Sequence, residues 1–292
     1  MARAVKCSAA RGLERVTLGG KRGRRKLDLA IPSGDRLSAN FIYREVFEKE
    51  SYHEVNLSVG FRVLDVGANV GIFALWAAER VGESGSVVCF EPSPAAFDAL
   101  ESNCEDVEQV EVRRIAIGSK TGTASMTSYT KGSGWSSLMP SEESVVNDVG
   151  WHAAARGISL PLGAERVLNL LLPKPLKRFI GRSVARFLLR GTTTSVVQVD
   201  TLSNQLQPGW DKIDLLKIDV ERSEWDVIQG IGDGDWRRID QVLAEVHDGL
   251  GAEADGLVAK FVGVLEQKGF EVDVSQTQEL VGSNLYQVLG KR

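Results

Sequence analysis

In the stretch Leu216-Lys217-Ile218-Asp219-Val220-Glu221, charged residues alternate with apolar ones. Side chains alternate between the faces of a strand, so Lys217, Asp219 and Glu221 are expected on one face. A second apolar run ends in Glu245-Val246-His247-Asp248. In an open α/β sheet the carboxyl ends of the strands border the ligand crevice. Both charged ends are therefore expected at the rim of one site. Residues of these types can remove a proton from a hydroxyl. Imidazole titrates near neutrality and suits general-base work, which makes His247 the first candidate and Asp219 the second, with Glu221 facing the acceptor. Structural alternatives stand beside these roles: His247 could bond Asp248, and Glu221 could pair with Lys217 or Arg222. Asp219, Glu221 and His247 could also hold a divalent metal, although none is expected. His53 and His152 lie in less constrained segments.

A second constellation is Val63-Leu64-Asp65-Val66-Gly67-Ala68-Asn69-Val70-Gly71, placed after an apolar strand and at the start of a helix. Gly67 allows a tight turn and a close backbone approach to a ligand. Gly71 allows close packing where the helix presents its free N–H groups. The nicotinamide fingerprint G-x-G-x-x-G seats a pyrophosphate at this point. Here Asn69 replaces the middle glycine, and Asp65 stands two residues before Gly67. A carboxylate there would repel a pyrophosphate but suits the cationic methionine end of S-adenosylmethionine, directly or through water. Glu91, in Phe90-Glu91-Pro92 at the end of the next strand, can accept from both ribose hydroxyls. Ala116, after the third strand, is small enough to lie beside a flat adenine. Asp65, Gly67, Asn69, Gly71, Glu91, Pro92, Ala116 and Asp219 are thus the candidate cofactor residues.

Strands are expected at 61–66, 86–90, 110–115, 215–220, 241–246, 270–274 and 285–289. Helices are expected at 40–56, 72–80, 95–104, 224–229 and 255–268. This alternation predicts a parallel sheet covered on both faces. The stretch 129–196 is too long for a plain loop and is read as an insertion or cap. Residues 1–56 are read as a basic arm, ending near 26, followed by a helix, and residues 57–292 as the main domain.

Taken together, the chain resembles the FkbM family of methyltransferases. The resemblance rests on the Leu64–Gly71 run, on Phe90-Glu91-Pro92 and on Ala116-Ile117-Gly118. Its most distinctive pieces are Val199-Asp200-Thr201-Leu202 and Leu216-Lys217-Ile218-Asp219-Val220-Glu221 followed by Glu224. It covers about residues 61–289 apart from the insertion. It implies a Rossmann-like class I α/β fold, with a seven-stranded, mostly parallel sheet whose last strand is antiparallel. It also implies methyl transfer from S-adenosylmethionine, usually to a hydroxyl of a natural product or sugar. The family usually shows glycine after the Asp-Val-Glu acid, where this chain has Arg222.

The remaining features bound the partners. The net charge of −4 is mild. Cys7, Cys89 and Cys104 offer no disulfide framework, and the basic amino-terminal segment lacks the apolar run of a secretory signal, so a cytoplasmic setting is expected. No apolar stretch approaches the roughly 18 residues of a membrane span. Within 166–199 there are seven basic residues and no acid. Arg178, Arg182, Arg186 and Arg190 recur every fourth position and form one stripe of a helix over 176–190. That stripe could be a lid, a homodimer contact or a dock for an acidic carrier protein, or it could lie on an anionic membrane surface. The favoured reading is O-methylation of a small molecule. The rivals are an RNA methyltransferase, which the basic arm suggests, and a cofactor-binding assembly subunit without turnover. An NAD-dependent dehydrogenase is disfavoured by Asp65 and Asn69, and a nucleic-acid partner is not expected.

Overall fold

The central strands are apolar at nearly every position because both of their faces are buried. The computed structural model describes residues 12–20, 25–48, 52, 54–129, 132–138, 143, 146, 147, 150, 172–189, 191–207, 209–248, 256–276 and 284–292. The chain opens with an antiparallel hairpin, β1 (Leu13–Gly19) and β2 (Lys26–Pro32). Leu13, Val16 and Leu18 are buried on the first strand, and Leu27 and Leu29 on the second. The sequence reading expected an arm here. The structure instead makes a hairpin, because alternate apolar residues have a surface to cover. Helix α1 (Arg36–Tyr43) continues into a π-turn at Arg44–Glu48, earlier and shorter than the 40–56 expected. Tyr43 and Val46 face the core, while Phe41 is exposed.

The main sheet then begins. Its elements are β3 (Arg62–Val66), α2 (Ile72–Val81), β4 (Ser86–Phe90), α3 (Pro94–Cys104) and β5 (Val110–Arg113), followed by the short strands β6 (Ala116–Ile117) and β7 (Gly122–Tyr129). Next come α4 (Lys174–Leu188), β8 (Thr192–Asp200), α5 (Leu202–Gln205), β9 (Leu215–Ile218), α6 (Glu224–Gln229) and β10 (Gln241–His247). The chain ends with α7 (Leu257–Gln267), β11 (Glu271–Ser275) and β12 (Leu285–Lys291). Seven strands pair in the order β11-β12-β10-β9-β3-β4-β5. All neighbours are parallel except β12, which runs antiparallel to both β10 and β11. This is the Rossmann-like class I methyltransferase fold.

Successive residues of a strand enter different cores. Val63, Val87 and Leu215 pack with α2, α3 and the amino-terminal hairpin. Their neighbours Leu64, Val88 and Leu216 pack with α5, α6 and α7. Asn103 in α3 links the hairpin to the sheet. It exchanges both backbone hydrogen bonds with Ala30, at 2.6 and 2.9 Å, and donates to the Val70 carbonyl at 2.8 Å.

A second, three-stranded sheet of order β6-β8-β7 was not foreseen. The strand expected over 110–115 stops at Arg113, and Ala116 and Ile117 pair with Val199 and Asp200 of β8 instead. The Asp200 carboxylate accepts from the Thr121 hydroxyl (2.6 Å), the Thr201 N–H (2.8 Å), Asn204 Nδ2 (2.8 Å) and Gln205 Nε2 (2.7 Å). The Val199-Asp200-Thr201-Leu202 run therefore fixes the corner between the two sheets. In the insertion, α4 occupies much of the expected 176–190. Arg178 and Arg182 are half-buried rather than solvated, with their Cγ atoms close over Gly150, while Arg186 is exposed. Arg190, His53 and His152 lie outside the described residues. No described helix is long and apolar enough to cross a membrane.

Candidate active site

The turn after β3 is shaped by backbone conformation. Gly67 and Gly71 have φ of +85° and +88°, and Asn69 has φ of +49°. This left-handed region suits glycine and is tolerated by asparagine, whose side chain bonds locally. Gly67 and Ala68 donate to the Phe90 carbonyl at 2.9 and 3.1 Å, tying the turn to the end of β4. A Cβ on Gly67 would run into the Asp219 carbonyl, and one on Gly71 would lie 2.7 Å from Leu100 Cδ1. Gly67 thus lets the ends of β3 and β9 meet, and Gly71 lets α2 begin against α3. Asn69 Oδ1 accepts from the Val70 N–H at 2.7 Å and the Ser133 hydroxyl at 3.1 Å. The Ser133 N–H in turn donates to buried Asp35 at 3.2 Å, so the 132–138 loop is held over the turn.

Glu91 stands at the end of β4, one carboxylate oxygen accepting the Asn69 N–H at 2.9 Å and the other the Ser93 N–H at 2.8 Å. A carboxylate has about four lone-pair sites, so two further donors can be received. Burial pushes the Glu91 pKa up to about 7, opposed by those two N–H groups.

At the other end of the turn, strand register sets Asp65 opposite Lys217. Both are buried. Lys217 Nζ lies 3.0 Å from Asp65 Oδ1, 3.2 Å from the Gly67 carbonyl and 3.3 Å from Asp219 Oδ2. Burial pulls the ammonium pKa down, but Asp65 and Asp219 outweigh it and hold it above the usual range. The sequence reading set Asp65 against the cofactor. In the structure Lys217 forms part of the cavity wall and Asp65 lies behind it, so the charge of Asp65 reaches the cavity through Lys217.

The face shared by alternate residues ends sooner than expected. β9 stops at Ile218, and Glu221 and Arg222 have φ of +49° and +80°. This reversal carries Glu221 away from Lys217 and toward His247, the last residue of β10. His247 Nε2 lies 3.4 Å from Glu221 Oε2, and its Nδ1 lies 2.9 Å from Glu224 Oε1. Asp248, weighed as an alternative partner for His247, instead accepts the Leu257 N–H at 3.0 Å at the start of α7. Burial opposes charge on the ring, yet Glu224 and Glu221 outweigh it and hold the imidazole well above its ordinary pKa. The expectation of His247 as a neutral base at pH 7 thus meets a ring whose two nitrogens both face carboxylates. Burial raises the Glu221 pKa, and the hydrogen bond from His247 lowers it.

One cavity of about 350 Å³ joins these groups, running from Glu91, Pro92 and Ala116 to Asp219, Glu221 and His247. Its size is in the range of small-molecule and cofactor sites. Asn69 and Gly67 line its middle, and the apolar Leu37, Phe41 and Leu138 line its wall. Glu245, Glu45 and Ser133 also line it and were not singled out by sequence reasoning. Glu45 and Ser133 come from segments that carry no recognisable motif, and Glu245, though it opens the Glu245–Asp248 stretch, was given no role. Among the described residues, no group of three or more His, Cys, Asp or Glu is placed to hold a metal ion.

A profile of the family described as the Methyltransferase FkbM domain matches residues 65–272. The chain belongs to this family. Its similarity to the 31-O-demethyl-FK506 methyltransferase FkbM of Streptomyces tacrolimicus is 34% identity over 282 residues, 90% of this chain and 96% of that protein. The methyltransferase sdnD of Sordaria araneosa is 26% identical over 249 residues, 81% of this chain and 84% of that one. Among solved structures, Aeropyrum pernix fibrillarin in complex with S-adenosyl-L-methionine matches with a TM-score of 0.41 at 12% identity, over 94% of this chain and 88% of that one. That likeness is too loose to carry weight. Family membership makes the protein an S-adenosylmethionine-dependent methyltransferase, and the geometry fits that cofactor. The Gly67 turn leaves no room for a side chain, Glu91 has free lone pairs for ribose hydroxyls, and the cavity continues to the acids beyond.

Arg222 stands where the family resemblance leads one to expect glycine, and the backbone gives a non-glycine residue there a cost. A non-glycine residue in the left-handed region is strained by about 1–2 kcal/mol. Arg222→Gly is therefore expected to raise the unfolding free energy by roughly 1 kcal/mol, after the extra chain entropy of glycine is deducted. Urea titration would show this as a higher midpoint at unchanged slope. An unchanged or lower midpoint would mean that contacts of the Arg222 side chain outweigh the strain.

Proposed function

We propose that the protein transfers a methyl group to a hydroxyl oxygen of a small molecule, a natural product or sugar, with the Glu221–His247 pair managing the acceptor proton. The observation that carries this reading is that the pair sits in the same cavity as Glu91 and Ala116, at its far end. When bound, S-adenosylmethionine supplies an electrophilic methyl group on a sulfonium. Glu91 would receive the ribose hydroxyls, Ala116 and Ile117 would flank the adenine, and the Asp219 carboxylate, oriented by Lys217, would face the cationic end. An acceptor hydroxyl must lose its proton as the oxygen gains the methyl, and Glu221 is the carboxylate placed to hold it. The acceptor must also be brought to about 3 Å from the methyl carbon and shielded from water, a task suited to Leu37, Phe41 and Leu138. The Streptomyces tacrolimicus relative is named for an O-demethyl substrate, which agrees with an oxygen acceptor. We place the reaction in the cytoplasm. The exposed Lys174 and Arg186 of α4 would suit contact with an acidic carrier protein or a second copy of the chain.

Calorimetric titration with S-adenosylmethionine, S-adenosylhomocysteine and NAD, followed by an acceptor screen, tests the reading. Binding of the two adenosyl ligands without NAD, and methyl ethers as products, are expected. Methylated amines or carbons as the only products would overturn the oxygen assignment. The pH dependence is also specified. Ribose donors favour the Glu91 carboxylate, so binding should release up to one proton near pH 7. Affinity should fall by up to about tenfold per pH unit below 7 and level off above it. Titrations in buffers of different ionisation enthalpy would count the proton, and a pH-independent affinity between 5.5 and 7.5 would show that Glu91 does not meet the ribose.

A further inference from the structure

The proton chemistry just proposed leaves one buried acid without a task. Glu224, the first residue of α6, is wholly buried. It does not reach the cavity, whose wall passes from Glu221 and Ser223 to His247. Its Oε1 accepts the Arg222 N–H at 2.7 Å and faces His247 Nδ1 at 2.9 Å. Its Oε2 has no hydrogen-bond partner among the described residues. A carboxylate removed from water is costly unless a cation and hydrogen bonds compensate it. The titratable groups facing His247 are Glu224 from α6, Glu221 from the turn after β9 and Glu245 from its own strand. β12 sets apolar Leu285 beside it.

We propose that Glu224 is a positioning residue: its buried carboxylate fixes the orientation and the positive charge of the His247 ring, so that Nε2–H is presented to Glu221 Oε2 at the cavity wall. This inference rests on the Glu221–His247 reading above and adds the residue that makes the pair work. With Nδ1–H donated to Glu224, the ring cannot flip without stranding a buried charge. With both nitrogens protonated, the ring is a donor to Glu221 and keeps that carboxylate ionised in a buried setting, ready for the acceptor proton. Without the charge on Glu224, the ring would lose its proton, and Glu221 would need a higher pH to ionise.

The test is the titration of the His247 ring by NMR in the intact protein. The chain has three histidines, and the His247 signal is the one missing from His247→Gln. In the parent protein the ring should remain protonated well above its usual midpoint of about 6.5. In Glu224→Gln, which keeps shape and removes charge, the midpoint should fall to the ordinary range or below. The acid limb of the kcat profile should then move to higher pH, while KM for S-adenosylmethionine stays put. Glu224→Asp, which keeps the charge but withdraws it, should leave the ring protonated and lower kcat. A parent ring that titrates at or below about 6.5 overturns the proposal even if every variant fails to fold, as does an unmoved midpoint in a folded Glu224→Gln. The ring titration needs no acceptor. A protein that methylates no hydroxyl would sink the proposed reaction and leave this inference to the NMR result.

Discussion

Glu221→Gln should lower the methylation rate by about 10²–10⁴-fold while changing the affinity for S-adenosylmethionine by no more than about twofold, the pattern expected when a general base is lost. The substitution keeps the side chain's size and removes its capacity to hold a proton. The proposed cofactor contacts come from Glu91, Ala116 and Asp219, which the change leaves in place. Glu221 also occupies a left-handed conformation, with φ of +49°. Strain of this kind persists where surrounding structure over-determines a functional residue, and the hydrogen bond from the Ser137 hydroxyl to the Glu221 carbonyl helps to hold it. Single-turnover rates across pH, with calorimetric titration of the cofactor, give the measurement. A folded variant that keeps the parent rate on a hydroxyl acceptor would remove Glu221 from the chemistry. His247→Ala should reduce the rate in the same direction without adding its full effect to that of Glu221→Gln, because the two act as one unit.

The second large effect is expected at Gly67. Alanine there would combine a φ of +85° with a Cβ placed against the Asp219 carbonyl. The conformational strain is worth about 1–2 kcal/mol, and forcing apart a packed contact adds roughly 1–3 kcal/mol. β3 and β9 would separate at the ends that carry Asp65, Lys217 and Asp219, so cofactor binding should be lost along with stability. Gly122→Ala is the control. Gly122 lies in β7 without a positive φ, and an added Cβ would meet nothing within 4 Å. Thermal unfolding with and without S-adenosylmethionine separates the two. A Gly67→Ala protein with parental stability and cofactor affinity would show that the strands can meet without this glycine.

Much of this architecture is legible in the residue order because its causes are local. The glycine spacing of the 63–71 run, the acid at the end of β4 and the apolar runs at 63–66, 87–90 and 242–246 each reflect one turn or one strand. Period and turn chemistry act over a few residues, so they can be read in place. The amino-terminal hairpin was harder to see. The alternation at Val16 and Leu18 is short and embedded in basic residues, and it settles as a strand because α1 and α3 offer a surface to cover. The second sheet was hidden for the same reason: Ala116 and Ile117 leave the main sheet to pair with Val199 and Asp200, about 80 residues on.

The site divides along the same line. The order of residues alone determines that Gly67, Asn69 and Gly71 form a turn, that Glu91 follows a strand, and that acids and a histidine gather at the ends of β9 and β10. It does not determine who pairs with whom. Strand register sets Asp65 opposite Lys217, so a residue read as meeting the cofactor directly or through water lies paired behind Lys217. The reversal at Glu221 and Arg222 breaks the alternation that placed Glu221 beside Lys217, and it delivers that carboxylate to His247 instead. Glu224 meets His247 from the first turn of another helix, 23 positions earlier in the chain. Charge state follows from these meetings, because burial and neighbouring carboxylates set a pKa. Both come into being only when distant segments pack.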